Sequence, residues 1–174
     1  PIKAIRIFNE KEVDELMVLD INASAESREP NYSLIEQFAG ECFMPLAYGG
    51  GVRTVEQAQK IFTLGVEKIC IQSTALENEI FIRELKDRFG SQSIIASVDI
   101  RKNWLGKPQI YESKSKKDLN GAWLKHIQAL VDAGAGEILL NAVDRDGTLS
   151  GPDLHLIRAA SEQVDVPLVA VGGI

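Results

Sequence analysis

Two stretches of this chain, residues 15–52 and 137–174, are versions of one unit displaced by 122 positions. Glu15-Leu16-Met17-Val18-Leu19 aligns with Glu137-Ile138-Leu139-Leu140-Asn141, and Leu34-Ile35 aligns with Leu156-Ile157. Pro45-Leu46 aligns with Pro167-Leu168, and Gly50-Gly51 with Gly172-Gly173. Each copy runs through an apolar segment, a turn, an amphipathic helix, a proline with a second apolar segment, and then glycines. That order is a β-α-β unit closed by a glycine loop. Two strands joined by a helix run parallel, because a hairpin is too short to make the crossover.

A duplicated β-α-β unit points to an α/β fold, the (β/α)8 TIM barrel built from two half-barrels. Apolar runs that suit buried parallel strands lie at 13–20, 45–48, 67–72, 93–99, 137–143 and 167–171. Helical periodicity fills 33–43, 54–64, 76–88, 120–133 and 153–163, and residues 2–10 continue a further helix. One interval, between the fourth and fifth strands, is too long for a single crossover. Residues 101–118, with Gly106, Pro108 and the apolar Gln109-Ile110-Tyr111, supply a small hairpin or flap there. Six strands are visible where a barrel needs eight, and 174 residues fall short of the roughly 250 of a typical barrel. The expectation is one domain over 1–174, an incomplete barrel lacking the first and last strands and truncated at both ends. An open, doubly wound sheet of six strands is the alternative; the repeat favours the barrel.

With 45% apolar and 25% charged residues the composition is that of a globular chain. A net charge of −6 argues against nucleic acid held on a basic surface. The basic run from Lys114 to Lys117 is read as a solvated loop. Cys42 and Cys70 sit in apolar stretches without metal-ligand spacing. They are read as buried thiols of a reducing compartment, the cytoplasm. No signal peptide and no apolar run of about 18 residues is visible, so no membrane partner is expected.

Barrel chemistry gathers at the C-terminal ends of the strands. Those ends carry Asp20, Gly49-Gly50-Gly51, Ser73-Thr74, Asp99, Asp144-Arg145-Asp146-Gly147-Thr148 and Gly172-Gly173. The two glycine loops are either plain tight turns or phosphate cradles, since glycine lets backbone N–H groups approach an anion. Their recurrence at equivalent places favours two phosphate sites and a ligand phosphorylated at both ends. Thr54 or Thr74 can cap a following helix, and Thr74-Ala75-Leu76-Glu77 fits a capping box. Asp99, at the end of an apolar strand, is placed for acid–base work; a backbone-bonding role is the alternative. The repeat partner of Asp99 falls upstream of residue 1. Asp144 and Asp146 resemble a fragment of a calcium loop but lack its later glutamate, so no metal is expected and contacts to a substrate are preferred. His126 and His155 are read as surface residues. Glu15, Lys68 and Glu137 each stand near the start of a strand, at the opposite face. They are either ordinary surface charges or a ring around the bottom of the barrel.

The chain resembles the cyclase subunit of imidazole glycerol phosphate synthase. The resemblance rests on Asp14-Glu15-Leu16…Leu19-Asp20-Ile21, Tyr48-Gly49-Gly50-Gly51-Val52, Glu67-Lys68-Ile69, Gly90-Ser91-Gln92, Val98-Asp99, the run from Gly134 to Leu140, and the run from Asp144 to Thr148. It implies a heterodimer in which a glutaminase subunit releases ammonia at the bottom of the barrel. The ammonia reacts at the top with a bis-phosphorylated phosphoribulosyl-formimino aminoimidazole carboxamide ribonucleotide, giving imidazole glycerol phosphate, with no cofactor. By motif position Asp99 matches one of the family's two acid–base aspartates. Gly51 and Ser73 match one phosphate site, and Asp146, Gly147 and Gly173 match part of the other. Glu15, Lys68 and Glu137 match three members of the gate. The resemblance therefore implies that these 174 residues alone are inactive as a cyclase. Gln72, Asn22, Asn141 and Val171 depart from the family's usual residues, and Val171 removes a hydroxyl. The stretches from Asn22 to Tyr32 and from Cys42 to Leu46 look more like a paralogue that supplies ammonia for amidination of a surface-polysaccharide sugar. A phosphoribosyl isomerase shares the loop from Arg145 to Pro152 but lacks the gate residues.

Overall fold

The structure, a computed structural model, describes residues 2–119 and 121–173. Asn120, where the predicted helix 120–133 begins, and Ile174, the last residue of the second repeat, lie outside them. The chain divides into two compact units, residues 1–71 and 72–174.

The first unit alternates helix and strand: α1 (Ile2–Glu10), β1 (Leu16–Leu19), α2 (Tyr32–Glu41), β2 (Leu46–Gly49), α3 (Val55–Thr63) and β3 (Lys68–Ile71). The strands pair in parallel, Leu16 with Leu46 through Leu19 with Gly49, then Ala47 with Lys68 through Gly49 with Cys70. Side chains start both crossover helices. The Asn31 carboxamide oxygen accepts from Leu34 N at 3.1 Å, and Thr54 Oγ1 accepts from Gln57 N at 3.2 Å. Gln57 Oε1 in turn accepts from Arg53 N, the residue before the cap, at 2.8 Å, so Gln57 ties the start of α3 to the chain that enters it. Ile35 and Phe38 of α2 and Ala58 and Ile61 of α3 are buried, as is all of β2. A side chain such as Ile61, wholly out of water, contributes about 1.5–3 kcal/mol.

The second unit holds α4 (Ser73–Glu77), α5 (Ile80–Phe89), β4 (Ile94–Lys102), β5 (Pro108–Glu112), β6 (Lys117–Leu119), α6 (Trp123–Ala133), β7 (Glu137–Ala142), α7 (Leu154–Ser161) and β8 (Leu168–Val171). β4, β7 and β8 are parallel; β5 and β6 form the expected hairpin, antiparallel to the end of β4. Because β5 pairs with residues 100–102, β4 runs past its predicted end at 99. The six parallel strands expected from the sequence are all present. Phe81, Ile82 and Leu85, Ile127 and Leu130, and Leu156 and Ala160 bury one face of each of α5, α6 and α7. β7 is buried almost throughout, as a parallel strand covered on both faces should be. The result is an α/β fold of parallel strands and crossover helices, consistent with an incomplete (β/α)8 barrel.

One predicted helix is corrected. Residues 76–88 do not form a single helix, because Asn78 adopts an extended conformation between α4 and α5 and its carboxamide accepts from Ile80 N at 3.0 Å. Thr74 is therefore the second residue of α4 and not its cap. Among the described residues no helix is long and apolar enough to cross a membrane.

Candidate active site

In the first unit, Asp20 follows β1 and its N–H donates to Gly49 O at 2.8 Å. Its carboxylate accepts from the N–H groups of Asn22 and Ala23 at 3.3 and 3.2 Å and pairs with Arg28 at 3.3 Å. Asp20 thus organises the loop into which β1 runs. The adjoining glycines fit against this loop. At φ +122° and +73°, a Cβ on Gly50 would lie 2.5 Å from Asp20 O, and one on Gly51 2.6 Å from Arg28 O. Both positions require glycine on conformation and on space.

In the second unit, Asp99 lies within β4 and is 8% exposed. Register places it beside Asn141 of β7, whose Nδ2 donates to Asp99 Oδ1 at 3.1 Å. The Ser113 hydroxyl, on the turn between β5 and β6, donates to Oδ2 at 2.5 Å. The candidates Asp99 and Asn141 are therefore brought together, and Ser113 joins them. Ser113 carried no signal in the sequence beyond its place in the flap. Ser73 is buried at the start of α4, with Thr74 half-buried beside it.

Asp144 Oδ2 accepts from Lys102 N at 2.5 Å, tying the end of β4 to the loop after β7. Asp146 and Gly147 are exposed on that loop, Gly147 at φ +69°. The loop closes on Asp153, which is 4% exposed and caps α7 through Leu156 N at 3.3 Å. Lys102 Nζ pairs with Asp153, and Arg145 Nε lies 3.5 Å from the same oxygen. Burial pushes the Asp153 carboxyl up; Lys102, the Leu156 N–H and Arg145 more than offset that and leave it below the usual carboxylate value. Arg145 Nη1 also donates to Gly151 O at 2.8 Å. A Cβ on Gly172 would lie 2.5 Å from Ala142 O, and one on Gly173 2.1 Å from Gly151 O. Asp153 leaves one signal in the sequence: 122 positions earlier stands the other cap, Asn31.

At the opposite strand ends, Glu15 precedes β1 and Lys68 opens β3, and the two pair at 2.8 Å within the first unit. Glu137 opens β7 in the second unit and is 8% exposed. His155 is exposed as expected, but His126 is half-buried, and desolvation lowers its pKa against the raising effect of Glu79. Cys70 is buried and Cys42 only partly so. Among the described residues no three His, Cys, Asp or Glu converge as a metal site would need.

Comparison with known proteins shows the family. The family model described as histidine biosynthesis protein matches residues 1–174. A Pseudomonas aeruginosa protein provisionally named imidazole glycerol phosphate synthase subunit hisF2 is 51% identical over 173 residues, covering 99% of this chain and 69% of its own length. A Leptospira borgpetersenii protein, provisionally named a HisF subunit of the same synthase, is 42% identical over 174 residues, 99% of this chain and 68% of its own. The imidazole glycerol phosphate synthase subunit HisF of Streptococcus sanguinis is 38% identical over 173 residues, 99% of this chain and 69% of its own. A match along the whole chain, joined to a duplicated β-α-β architecture with paired glycine loops, establishes that this chain belongs to the histidine biosynthesis protein family, among its HisF-like members.

Proposed function

We propose that the chain is part of the ammonia-dependent cyclase subunit of an imidazole glycerol phosphate synthase. It would convert the bis-phosphorylated phosphoribulosyl-formimino aminoimidazole carboxamide ribonucleotide with ammonia released by a glutaminase subunit in a heterodimer. The observation that carries this reading is Asp99, a nearly buried carboxylate near the C-terminal end of a parallel strand, bonded at both oxygens by Asn141 and Ser113. Asp99 takes and returns the proton as ammonia adds and the ring closes. Gly50 and Gly51 of the first unit contact phosphate, and so do Ser73 and Thr74 of the second; Asp146, Gly147, Gly172 and Gly173 form a phosphate site of the second unit. Asp20 and Asp144 shape the loops around the substrate, and Asn141 holds Asp99. Glu15, Lys68 and Glu137 face the glutaminase and gate the ammonia; the Glu15–Lys68 pair supports that role.

The test is formation of imidazole glycerol phosphate by the native protein from ammonium salt. Asp99→Asn keeps the side chain's shape and should lower turnover by about 10²–10⁴-fold while leaving substrate binding intact. Near-normal turnover of that variant would refute the assignment. Lys68→Ala should change glutamine-driven synthesis more than synthesis from ammonium salt.

A second reading has its own support. The relative at 51% identity has a provisional, numbered subunit name, whereas the Streptococcus sanguinis protein stands at 38%. Val171 also places an apolar side chain before the second glycine loop. On this reading the chain is a paralogous ammonia-channelling subunit that serves amidination of a surface-polysaccharide sugar. Glutamine-dependent ammonia supply without imidazole glycerol phosphate formation would favour it. The Glu15–Lys68 pair fits a phosphoribosyl isomerase less well.

A further inference from the structure

We propose that Ser113 is a positioning residue that assigns the proton of Asp99 to one oxygen, Oδ2. The inference rests on Asp99 being the acid–base group of the proposed cyclase. Asn141 Nδ2 faces Oδ1 and an amide N–H can only donate, so a proton on Oδ1 would meet another donor. Oδ2 faces the Ser113 hydroxyl, which both donates and accepts. While Asp99 is charged, Ser113 donates. When Asp99 takes a proton from the reacting molecule, the new O–H bond forms at Oδ2. The Ser113 hydroxyl hydrogen then rotates away, and its oxygen accepts the Asp99 proton. One oxygen is thus held as a permanent acceptor and the other left to cycle.

The placement of Ser113 is built rather than incidental. Its turn joins β5 and β6, and the hairpin is fastened at three points. Ile110 of β5 is buried and pairs with Ile100 of β4. Arg101 of β4 makes two hydrogen bonds to Asp118 of β6, at 2.9 and 2.8 Å, with its guanidinium 4.4 Å from the centre of the Tyr111 ring. Lys114, next to Ser113, pairs with Glu77 of α4 at 2.6 Å. These contacts fix the hairpin from β4 at two points and from α4 at the third. That explains what the long segment between β4 and β7 contributes to the site: a hydroxyl placed on Asp99 from the turn of a hairpin.

The experiment compares the native protein with Ser113→Ala and Ser113→Thr in two measurements. The first is the pH profile of turnover with ammonium salt. The second is titration of the 13C-labelled Asp99 carboxyl by NMR without substrate. Ser113→Ala should lower kcat roughly tenfold with KM little changed and shift the acid limb of the profile, because the partner that serves Oδ2 in both of its forms is gone. Its NMR midpoint should move the same way, while Ser113→Thr, which keeps the hydroxyl, should restore both. An Asp99 titration that is the same in native protein and Ser113→Ala would overturn the proposal. So would a threonine variant that behaves like alanine. If the NMR midpoints respond as expected but no imidazole glycerol phosphate forms, the positioning role stands and the cyclase reading fails. If turnover is present and neither measurement responds, the positioning role alone fails.

Discussion

Leu16 pairs with Leu46 in the first repeat, and Ile138 pairs with Leu168 in the second, so the two repeats hold one register at the displacement of 122. The correspondence extends to details that hydrophobic pattern alone would not fix. Leu16 N donates to Pro45 O and Ile138 N to Pro167 O, each at 3.0 Å. Gly50 abuts Asp20 O and Gly172 abuts Ala142 O, each at 2.5 Å from where a Cβ would stand. Asn31 and Asp153, again 122 apart, cap the two crossover helices. The loops differ in what they carry. Asn31 is a neutral, exposed cap, whereas Asp153 is a buried carboxylate between Lys102 and Arg145. Leu19 occupies the place of Asn141, so only the second copy sets an amide there. Backbone geometry is common to the two copies; the polar groups are distributed locally, loop by loop.

The largest difference between the copies should appear at the second glycine of each loop. Gly51 and Gly173 both have positive φ, but an added Cβ would meet backbone oxygen at 2.6 Å in one and 2.1 Å in the other. Alanine pays a conformational penalty in both, and the tighter contact demands a larger backbone shift. We expect Gly173→Ala to destabilise by more than about 3 kcal/mol and Gly51→Ala by about 1–3 kcal/mol. Denaturant midpoints of the two variants decide the matter; an equal or reversed order would mean that the loop after β7 yields more easily than its geometry implies.

The caps come next. Asn31→Ala removes one neutral hydrogen bond and should lose about 1 kcal/mol. Asp153→Ala also strands Lys102 and Arg145 beside a buried void and should lose about 2–4 kcal/mol. A smaller loss at Asp153 than at Asn31 would break this contrast. The charge adds a pH signature. The folded carboxyl of Asp153 lies below its ordinary value of 3.8, so its stabilisation is complete above that value and is lost as pH falls through the folded value. Asn31 does not titrate. Asp153→Asn should therefore flatten the acid limb of stability below about pH 4, while Asn31→Asp should not deepen it to the same degree, lacking the two cations. Unfolding curves from pH 2 to 6 check both.

Some of this was open to reading in the sequence, for physical reasons. Parallel strands buried on both faces show as apolar runs, and glycine where only glycine fits shows as Gly-Gly, so both copies of the unit were visible. Asp99 stood out because a carboxylate ending an apolar strand is conspicuous. Its partners did not. Asn141 reaches it through strand register, and Ser113 through a hairpin whose turn closes back over β4, and neither leaves a local pattern. The break at Asn78 was hidden because the apolar periodicity continues through Ile80 to Ile82 and Leu85, while the Asn78 carboxamide, accepting from the Ile80 N–H two residues on, accompanies the end of the first helix. The two cations on Asp153 come from β4 and from the loop before it, 51 and 8 positions away.

The smallest effect separates the repeats at Tyr48, whose counterpart is Ala170. Tyr48 is 3% exposed, and its hydroxyl has no hydrogen-bond partner among the described residues. Burial pushes its pKa up to about 12, and the Asp20 charge adds to this; the Asn31 backbone and Arg28 pull the other way, the former lying outside hydrogen-bonding geometry. A buried hydroxyl without a partner forfeits its hydration and gains nothing in return. Ala170 fills the same register position in the second copy with no polar atom at all. Tyr48→Phe should therefore be neutral or stabilising by up to about 1 kcal/mol, since it removes the desolvated oxygen and keeps the ring. Tyr48→Ala should instead lose about 3–5 kcal/mol, because the first copy buries a large ring where the second copy has only a methyl group. A clear loss in Tyr48→Phe would mean that the hydroxyl holds a partner in solution, with the loop from Asp20 to Asn31 the place to look for it.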